Sequence, residues 1–207
     1  YTIFLCHSKE EMYMDETIIN IPKPKNEPVL DYAPGSSERE LIINELEKLR
    51  KKKSEIMPVI GGKKIKTNDL GKVVMPHNHK HVLATYHKVT PELLEEAIEK
   101  AMDIKPVWAD FTWETRASLA IKAAELISKK YRFLLNAATM LGQSKNVYQA
   151  EIDSACETID FLRFNAYYMQ KIYSDQPDAS AGTLNRVEYR PLEGFIFAVT
   201  PFNFTTV

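Results

Sequence analysis

The stretch R-P-L-E-G-F-I-F-A-V-T-P-F-N-F-T-T-V, from Arg190 to Val207, decides the fold. Within it, Phe195 to Val199 is a short, continuously apolar run of residues that favour strands, and Thr200 and Pro201 end the run. Such a run is typical of a strand buried on both faces, as in a parallel sheet, although the pattern alone leaves a buried helix open. We therefore predict an α/β fold with a sheet strand at this position.

Asn203 follows this predicted strand and lies between Phe202 and Phe204. In open α/β sheets, ligands bind beyond the carboxyl ends of the strands. The amide side chain of Asn203 is therefore predicted to face a substrate. The alternative is an Asn that only closes the turn after the strand, a role that also suits this residue.

Helices are predicted through most of the chain before this strand. Ser37-Glu38-Arg39-Glu40 is a capping box, and the apolar spacing after it predicts a helix from about Glu38 to Glu55. Thr90 and Pro91 predict the start of a second helix. The buried stripe of that second helix is predicted to comprise Leu93, Leu94, Ala97, Ile98 and Ala101.

Further helices are predicted from Trp113 to about Ser128, up to a left-handed cap at Gly142, and from Asn146 to Ile172. The strands predicted before Arg186 are fewer. They are a hairpin from Pro58 to Lys66, which turns at a Gly-Gly pair, and a strand from His81 to Val89.

Composition indicates an ordinary globular protein. The 207 residues are 44% hydrophobic and 27% charged, with a net charge of -1 from 27 basic and 28 acidic side chains. This balance gives no electrostatic argument for nucleic acid or for an anionic membrane. Cys6 and Cys156 are too few for a disulfide framework, which favours a reducing compartment. No apolar run of the sequence is long enough to span a bilayer.

Two blocks carry a family resemblance. L-E-G-F-x-x-A-V-T-P-F-N-F, from Leu192 to Phe204, resembles the first nucleotide-domain strand of the aldehyde dehydrogenase superfamily. G-Q-S-K-N-V-Y-Q-A-E-I-D-S-A-C-E-T-I-D-F-L-R-F-N-A, from Gly142 to Ala166, resembles one branch of it, the delta-1-pyrroline-5-carboxylate dehydrogenases. N-E-P-V-L at Asn26 to Leu30 and G-S-x-E-R at Gly35 to Arg39 fit the amino end of the same branch.

The resemblance implies a division of the chain into parts. Residues 1–35 are expected to form an extended arm, and residues 36–185 the helix-rich first part of an NAD-binding domain. Residues 186–190 are expected to form a bridging strand, and residues 191–207 the first Rossmann-like strand with an oxyanion turn. A doubly wound sheet needs several strand-crossover units, so we expect this domain to be truncated.

The resemblance also implies an activity. It implies NAD as the cofactor and oxidation of L-glutamate 5-semialdehyde, which forms from 1-pyrroline-5-carboxylate, to L-glutamate in proline degradation. A small-molecule aldehyde substrate, a homo-oligomer at full length and the mitochondrial matrix are implied as well, with no nucleic-acid or membrane partner. The start of the chain lacks the Arg-rich, acid-poor composition of a transit peptide, so the location rests on the resemblance alone.

Three residues match positions with roles in the family. Asn203 matches an oxyanion stabiliser, Thr200 a residue whose backbone meets the ribose side of NAD, and Glu157 a Glu near the substrate site. The family's nucleophilic Cys and general-base Glu belong to a later segment, so the 207-residue chain alone is expected to be inactive. A different class of function stays open, namely a non-catalytic helical interaction module derived from this fold.

Other candidate groups have simpler explanations. Cys156 lies on an apolar helix face, which is typical of a small core residue, and nothing nearby in the sequence supplies a basic environment to activate it. Asp153, Glu157 and Asp160 are neighbours at i,i+4 and i,i+3 spacing. Such carboxylates can do acid–base work, but a solvated acidic face is favoured.

Histidines alternate at His77, His79 and His81, and in a strand all three would share one face. Three imidazoles can hold zinc. However, Pro76 and Asn78 interrupt strand geometry, so a polar loop that leads into a strand is favoured and no metal site is predicted.

Overall fold

The protein is described by a computed structural model, which covers residues 19–204 and Thr206. The first part of the predicted arm, including Cys6, lies outside these residues. The described part of the arm, from Ile19 to Gly35, contains no helix or strand. Tyr32 adopts a left-handed backbone conformation there, with φ of 53°, and its side chain is buried.

Helix α1 spans Ser37–Lys51. The Oγ of Ser36 caps it by accepting a hydrogen bond from the backbone N–H of Arg39. The predicted capping box at Ser37–Glu40 is therefore wrong by one residue, because Ser37 is already the first residue of the helix. The predicted end at Glu55 is wrong, because the backbone turns extended at Lys52 and residues Ser54–Ile56 join a sheet as β1.

The main sheet has three strands in the order β1-β5-β4. Strand β4 is Leu70–Met75 and pairs antiparallel with β5, Asn78–His87, which in turn pairs parallel with β1. The prediction of a strand from His81 to Val89 is confirmed as far as His87, and the strand starts earlier, at Asn78. The hairpin prediction is also confirmed, since β2 (Val59–Ile60) and β3 (Lys63–Lys64) pair around two glycines with positive φ.

Helix α2 spans Pro91–Asp110 and is capped by the Thr90 hydroxyl, as predicted. None of its residues is buried, so the predicted buried stripe is wrong for this chain. Leu94, for example, is 52% exposed. The apolar spacing is present, but among the described elements only the short hairpin strand β2 packs substantially against this helix.

The remaining helices form two nearly continuous segments. Helix α3, Trp113–Leu126, runs through a π-helical turn at Ile127–Tyr131 into α4, Arg132–Gln143. The left-handed residue that ends α4 is Ser144, with φ of 56°, which corrects the predicted cap at Gly142. Asn146 caps the second segment with a capping box. That segment comprises α5 (Val147–Ala150), a π-helical turn (Glu151–Cys156) and α6 (Glu157–Ser174).

The core lies between these segments and the arm. Helix α3 packs along α6, and α1 packs along α4. Ala124, Ala155 and Ile159 form one buried cluster. Tyr32, Ile42 and Ala137 form another and so fix the arm between α1 and α4.

The described residues that follow α6 contain no helix or strand, so the predicted strands at Arg186–Arg190 and Phe195–Val199 do not form here. Ile196 is 83% exposed and Val199 is 79% exposed. Burial on both faces needs sheet neighbours, and none lies beside this run in the described part of the chain.

None of the helices in the described residues has the length and apolar character to cross a membrane.

Candidate active site

The turn that carries Asn203 rests on the loop after α4. The ammonium of Lys145 donates to the backbone carbonyl of Asn203 at 2.6 Å, and the side-chain amide of Gln143 donates to the carbonyl of Phe202 at 3.1 Å. The Lys145 ammonium also lies 4.9 Å from the ring centroid of Phe204. The side chains of Lys145 and Gln143 therefore hold the backbone of the turn. The side-chain amide of Asn203 makes no hydrogen bond with a described residue.

The predicted aromatic frame around Asn203 is only half present. Phe204 is partly buried, but Phe202 is 95% exposed and shields nothing in this chain. Asn203 itself is exposed, and its side chain makes no hydrogen bond with a described residue. The amide of Asn203 is therefore accessible to a ligand, as the sequence predicts. Only Phe204 can shield it from water, because Phe202 is exposed.

Lys145 is a site residue that sequence reasoning missed. Its ammonium pairs with the carboxylate of Asp153 at 2.7 Å, and its side chain is only 17% exposed. Asp153 lies in the π-helical turn Glu151–Cys156, so this ion pair connects the Asn203 turn to the start of the long helical segment. The only signal in the sequence was a basic residue in the short loop before the Asn146 cap.

Thr206, the last residue that the structure describes, also binds the second helical segment. The hydroxyl of Thr206 donates to the backbone carbonyl of Ser154 at 2.7 Å and accepts from the hydroxyl of Thr158 at 2.8 Å. Thr158 is next in sequence to Glu157. Thr206 is thus fixed beside the helix that carries the predicted substrate-binding residue.

Glu157 lines a pocket of about 410 Å³ that opens on one face of α6. Its other lining residues are Asn26, Asp160, Phe161, Phe164, Asn165 and Tyr168. The carboxylate of Glu157 makes no hydrogen bond with a described residue. The wall thus combines carboxylates, amides and aromatic rings, a mixture that suits a cationic group.

The three carboxylates of this region have separate partners. Asp153 pairs with Lys145, whereas Asp160 accepts from the side-chain amide of Asn26 and from the backbone N–H of Glu27, both at 2.7 Å. The prediction of a solvated acidic face is therefore wrong for Asp153 and Asp160, because each of them binds another part of the chain. Glu157 is the one that stays open to a ligand.

Thr200 is exposed, and neither its backbone nor its hydroxyl is hydrogen-bonded to a described residue. Its predicted contact with NAD stays a prediction.

A buried ionic network lies behind the site. The carboxylate of Glu151 is fully buried and accepts from the N–H of Leu30 at 2.9 Å, from the hydroxyl of Tyr32 at 2.7 Å, and from the side chains of Asn136 and Arg132. Burial acts to raise the pKa of Glu151, but Arg132, Leu30 and Tyr32 outweigh it, and the pKa is lowered.

Cys156 borders this network. Its Sγ lies 3.5 Å from the Arg132 guanidinium, so the prediction that no basic group is near was wrong. Burial nevertheless raises the pKa of the thiol to about 12, with the Glu151 carboxylate adding to the rise. The thiol stays protonated near neutral pH, which agrees with its prediction as a core residue rather than a nucleophile.

The three alternating histidines divide between a turn and a strand. His77 precedes β5, and its Nδ1 lies 2.7 Å from the hydroxyl of Ser144, while His79 and His81 lie on β5. Within the described ranges, no group of three or more His, Cys, Asp or Glu side chains is arranged to hold a metal ion.

Comparison with known proteins defines the class. Residues 64–207 match the aldehyde dehydrogenase family, and the chain belongs to that family. The chain is 48% identical over 189 residues to the mitochondrial delta-1-pyrroline-5-carboxylate dehydrogenase of Dictyostelium discoideum, with 91% of this chain and 34% of the relative covered. It is 40% identical over 185 residues to the mitochondrial enzyme of that name from Homo sapiens, covering 89% and 33%.

A solved structure agrees with these matches. The chain is similar to the Delta-pyrroline-5-carboxylate dehydrogenase of Mycobacterium tuberculosis bound with NAD, with a TM-score of 0.89 and 44% identity. The match covers 91% of this chain and 36% of that one. The predicted resemblance and the helix-rich part of the aldehyde dehydrogenase fold are both confirmed. The chain spans about a third of the length of the relatives it matches.

Proposed function

We propose that this chain is the amino-terminal part of an NAD-dependent enzyme that oxidises L-glutamate 5-semialdehyde to L-glutamate in proline degradation. The observation that carries this proposal is the 40–48% identity to delta-1-pyrroline-5-carboxylate dehydrogenases over nine-tenths of the chain. The mitochondrial names of two relatives support a mitochondrial matrix location. A homo-oligomer is proposed on the family resemblance.

The chemistry divides between this chain and the later segment that the family implies. In that later segment, a cysteine thiolate attacks the aldehyde carbon. Loss of a hydride from this carbon then leaves a thioester, and water hydrolyses the thioester to the acid. NAD, when bound, accepts that hydride. The exposed backbone of Thr200 makes no hydrogen bond to a described residue, so it is free to meet such a cofactor. The 207-residue chain alone is proposed to be inactive.

Asn203 has the role of oxyanion donor in this proposal. Attack on the aldehyde turns its carbonyl oxygen into an alkoxide, which neutral fixed N–H groups stabilise. The backbone of Asn203 is anchored by Lys145 at 2.6 Å, so the amide is held without being consumed by an internal hydrogen bond. This anchoring supports a donor that is oriented before the substrate arrives.

Glu157 has the role of a substrate-positioning residue. Glutamate semialdehyde carries an α-ammonium group, and the pocket beside Glu157 offers carboxylates and aromatic rings. A positive group placed there would orient the substrate without taking part in proton transfer. Glu157 would therefore affect the choice of substrate more than the rate of the chemical step.

The test is an assay of NAD reduction by the protein at its natural length with two aldehydes. Glutamate 5-semialdehyde carries the α-ammonium group, whereas glutarate semialdehyde has the same carbon chain and carboxylate but lacks that group. We expect kcat/KM for the first to exceed that for the second by at least about tenfold, or about 1.4 kcal/mol. Glu157→Gln should shrink this ratio, while Glu125→Gln, on an exposed helix face, should leave it unchanged.

Folded protein without NAD-dependent turnover on either aldehyde would contradict the proposed activity and favour the non-catalytic interaction module. Equal kcat/KM for the two aldehydes would contradict the role of Glu157.

A further inference from the structure

A second pocket, of about 230 Å³, opens where the end of α1 approaches the left-handed turn after α4. We call it the basic pocket. Its walls are formed by Leu46, Arg50, His77, Met140, Leu141, Ser144 and Lys145. Three of these side chains carry basic groups, one carries a hydroxyl, and none is acidic. The pocket therefore favours a negatively charged ligand.

Among the basic groups of the pocket, Arg50 has the most N–H donors available to a ligand. Lys48 and Lys51 on the same helix each pair with a glutamate, but Arg50 forms no ion pair or hydrogen bond with a described residue. A guanidinium presents five N–H donors in a fixed fork that matches the oxygens of a carboxylate or phosphate. The pocket thus surrounds a guanidinium whose donors are not used by described residues.

His77 and Ser144 fix the opposite wall. Ser144 is a non-glycine residue with φ of 56°, and its hydroxyl lies 2.7 Å from Nδ1 of His77. That contact sets the orientation of the imidazole ring. The other ring nitrogen, Nε2, makes no hydrogen bond with a described residue, and it donates to a ligand in the tautomer whose Nδ1 accepts from the Ser144 hydroxyl.

Lys145 joins the basic pocket to the Asn203 turn. An ammonium has three N–H donors. Two of them are directed at Asp153 and at the backbone carbonyl of Asn203. The ammonium also lies 4.9 Å from the ring centroid of Phe204. Its positive charge, rather than an unused N–H, is therefore what attracts an anion in the pocket, and a bound anion would hold Lys145 in place without displacing it from the turn.

We propose that the basic pocket binds a phosphate group and that this binding steadies the Asn203 turn through Lys145. A phosphate has oxygens for Arg50 and His77 together, and its negative charge matches the charges of Arg50 and Lys145. The proposed effect of phosphate on Asn203, as an oxyanion donor, rests on the function proposed above. The binding itself does not.

Binding is tested by isothermal titration calorimetry of the protein at its natural length, with inorganic phosphate and with glycerol 3-phosphate, at ionic strength held constant with chloride. We expect saturable binding of one equivalent. Arg50→Gln should weaken it about tenfold or more, since a charge-assisted contact is lost. His77→Gln should weaken it as well. Lys53→Gln, which removes the same charge from the same basic run but outside the pocket, is the matched control and should bind as the parent does.

Binding of the ester alone would identify a phosphate monoester as the ligand, and binding of both would assign the shared phosphate group. Absence of saturable binding for either compound would overturn the proposal. So would equal losses in Arg50→Gln and Lys53→Gln, which would indicate attraction by net charge only.

The link to Asn203 is tested by amide hydrogen exchange over residues 199–206 with and without phosphate. We expect slower exchange in the presence of phosphate and no such change in Arg50→Gln. Binding with unchanged exchange would overturn the link but not the site. A protein that binds phosphate yet oxidises no aldehyde would overturn the proposed function and leave the basic pocket standing.

Discussion

The guanidinium of Arg132 and the carboxylate of Glu151 form an ion pair inside the protein, with side chains only 6% and 0% exposed. Arg132 begins α4 just after one π-helical turn, and Glu151 begins the other. The pair also binds the arm, since Arg132 reaches Glu27 at 2.6 Å and the carbonyl of Pro28 at 2.6 Å. The arm, which is distant in sequence, is thus bound to both helical segments through Arg132.

Glu151→Gln should destabilise the fold strongly. The substitution removes one partner of a buried pair and leaves the Arg132 charge incompletely compensated, which typically costs about 3–5 kcal/mol. Urea unfolding of the full-length protein measures the change. Glu125→Gln, in an exposed pair with Lys129, is the control and should unfold with the parent. Equal unfolding midpoints for Glu151→Gln and the parent would show that the pair contributes little.

Acid should remove the same stabilisation. The pKa of Glu151 in the folded protein lies below its ordinary value of 4.5. Its contribution is therefore fully present above pH 4.5 and is lost as the pH falls through the lower, folded value. Unfolding free energies measured from pH 7 to pH 3 should fall more steeply below pH 4.5 for the parent than for Glu151→Gln. Parallel curves would rule out ionised Glu151 as the source.

Asn203→Ala should lower kcat of the full-length enzyme by roughly 10²–10³-fold, about 2.7–4 kcal/mol, because an oxyanion donor is lost. The melting temperature should stay within a few degrees of the parent, and NAD affinity should change little. Asn185→Ala removes an exposed loop amide and serves as the control. If kcat per folded enzyme stays within about threefold of the parent, Asn203 merely closes the turn.

Lys145→Met should lower kcat by about tenfold with a small change in KM, since the turn loses the contact that orients it and a small misplacement is costly. Lys145→Arg, which keeps the charge and can still donate to the carbonyl of Asn203, should recover part of the loss. Steady-state kinetics with single-turnover measurements separates this effect from product release. A drop in melting temperature with unchanged kcat would assign Lys145 a structural role only.

The 207-residue chain by itself should self-associate. Phe197 is 77% exposed and Ile196 is 83% exposed, within an apolar run from Phe195 to Val199 that has no cover among the described residues. Exposed apolar patches of this kind promote association. Light scattering after size exclusion measures it, with Ile196→Glu as a variant that should reduce it. A monodisperse monomer with a cooperative melt would favour the independent interaction module.

Local signals in the sequence predicted local structure well. The Thr90 cap, the helix start at Asn146 and the Gly61-Gly62 turn all lie where the sequence places them, because the groups that define each are only a few residues apart. The end of α1 was wrong for the opposite reason. Nothing near Lys52 signals that Ser54–Ile56 will pair with a strand about thirty residues later.

The site could be predicted only in part. Asn203 was predicted from its place after the apolar run and also from resemblance, whereas Thr200 and Glu157 came from resemblance alone, and the roles of all three stay predictions. Lys145 and the Arg132–Glu151 pair were missed, since their partners are brought together by the fold rather than by spacing. The apolar stripe of α2 and the run at Phe195 were read correctly as apolar, but a pattern cannot show whether the chain also contains the surface that covers it.

The two π-helical turns, at Ile127–Tyr131 and Glu151–Cys156, touch each other across the helix pair. A π turn accommodates one more residue than the α-helix it interrupts, and one residue corresponds to a rotation of about 100° around the helix axis. Losing one residue other than Glu151 from Glu151–Cys156 would therefore let the turn return to α-helical geometry and keep the face of α6 that carries Glu157 and Asp160. Inserting a residue would instead rotate that face away from its pocket. Chain length across this turn is thus constrained more strongly against insertion than against a single deletion.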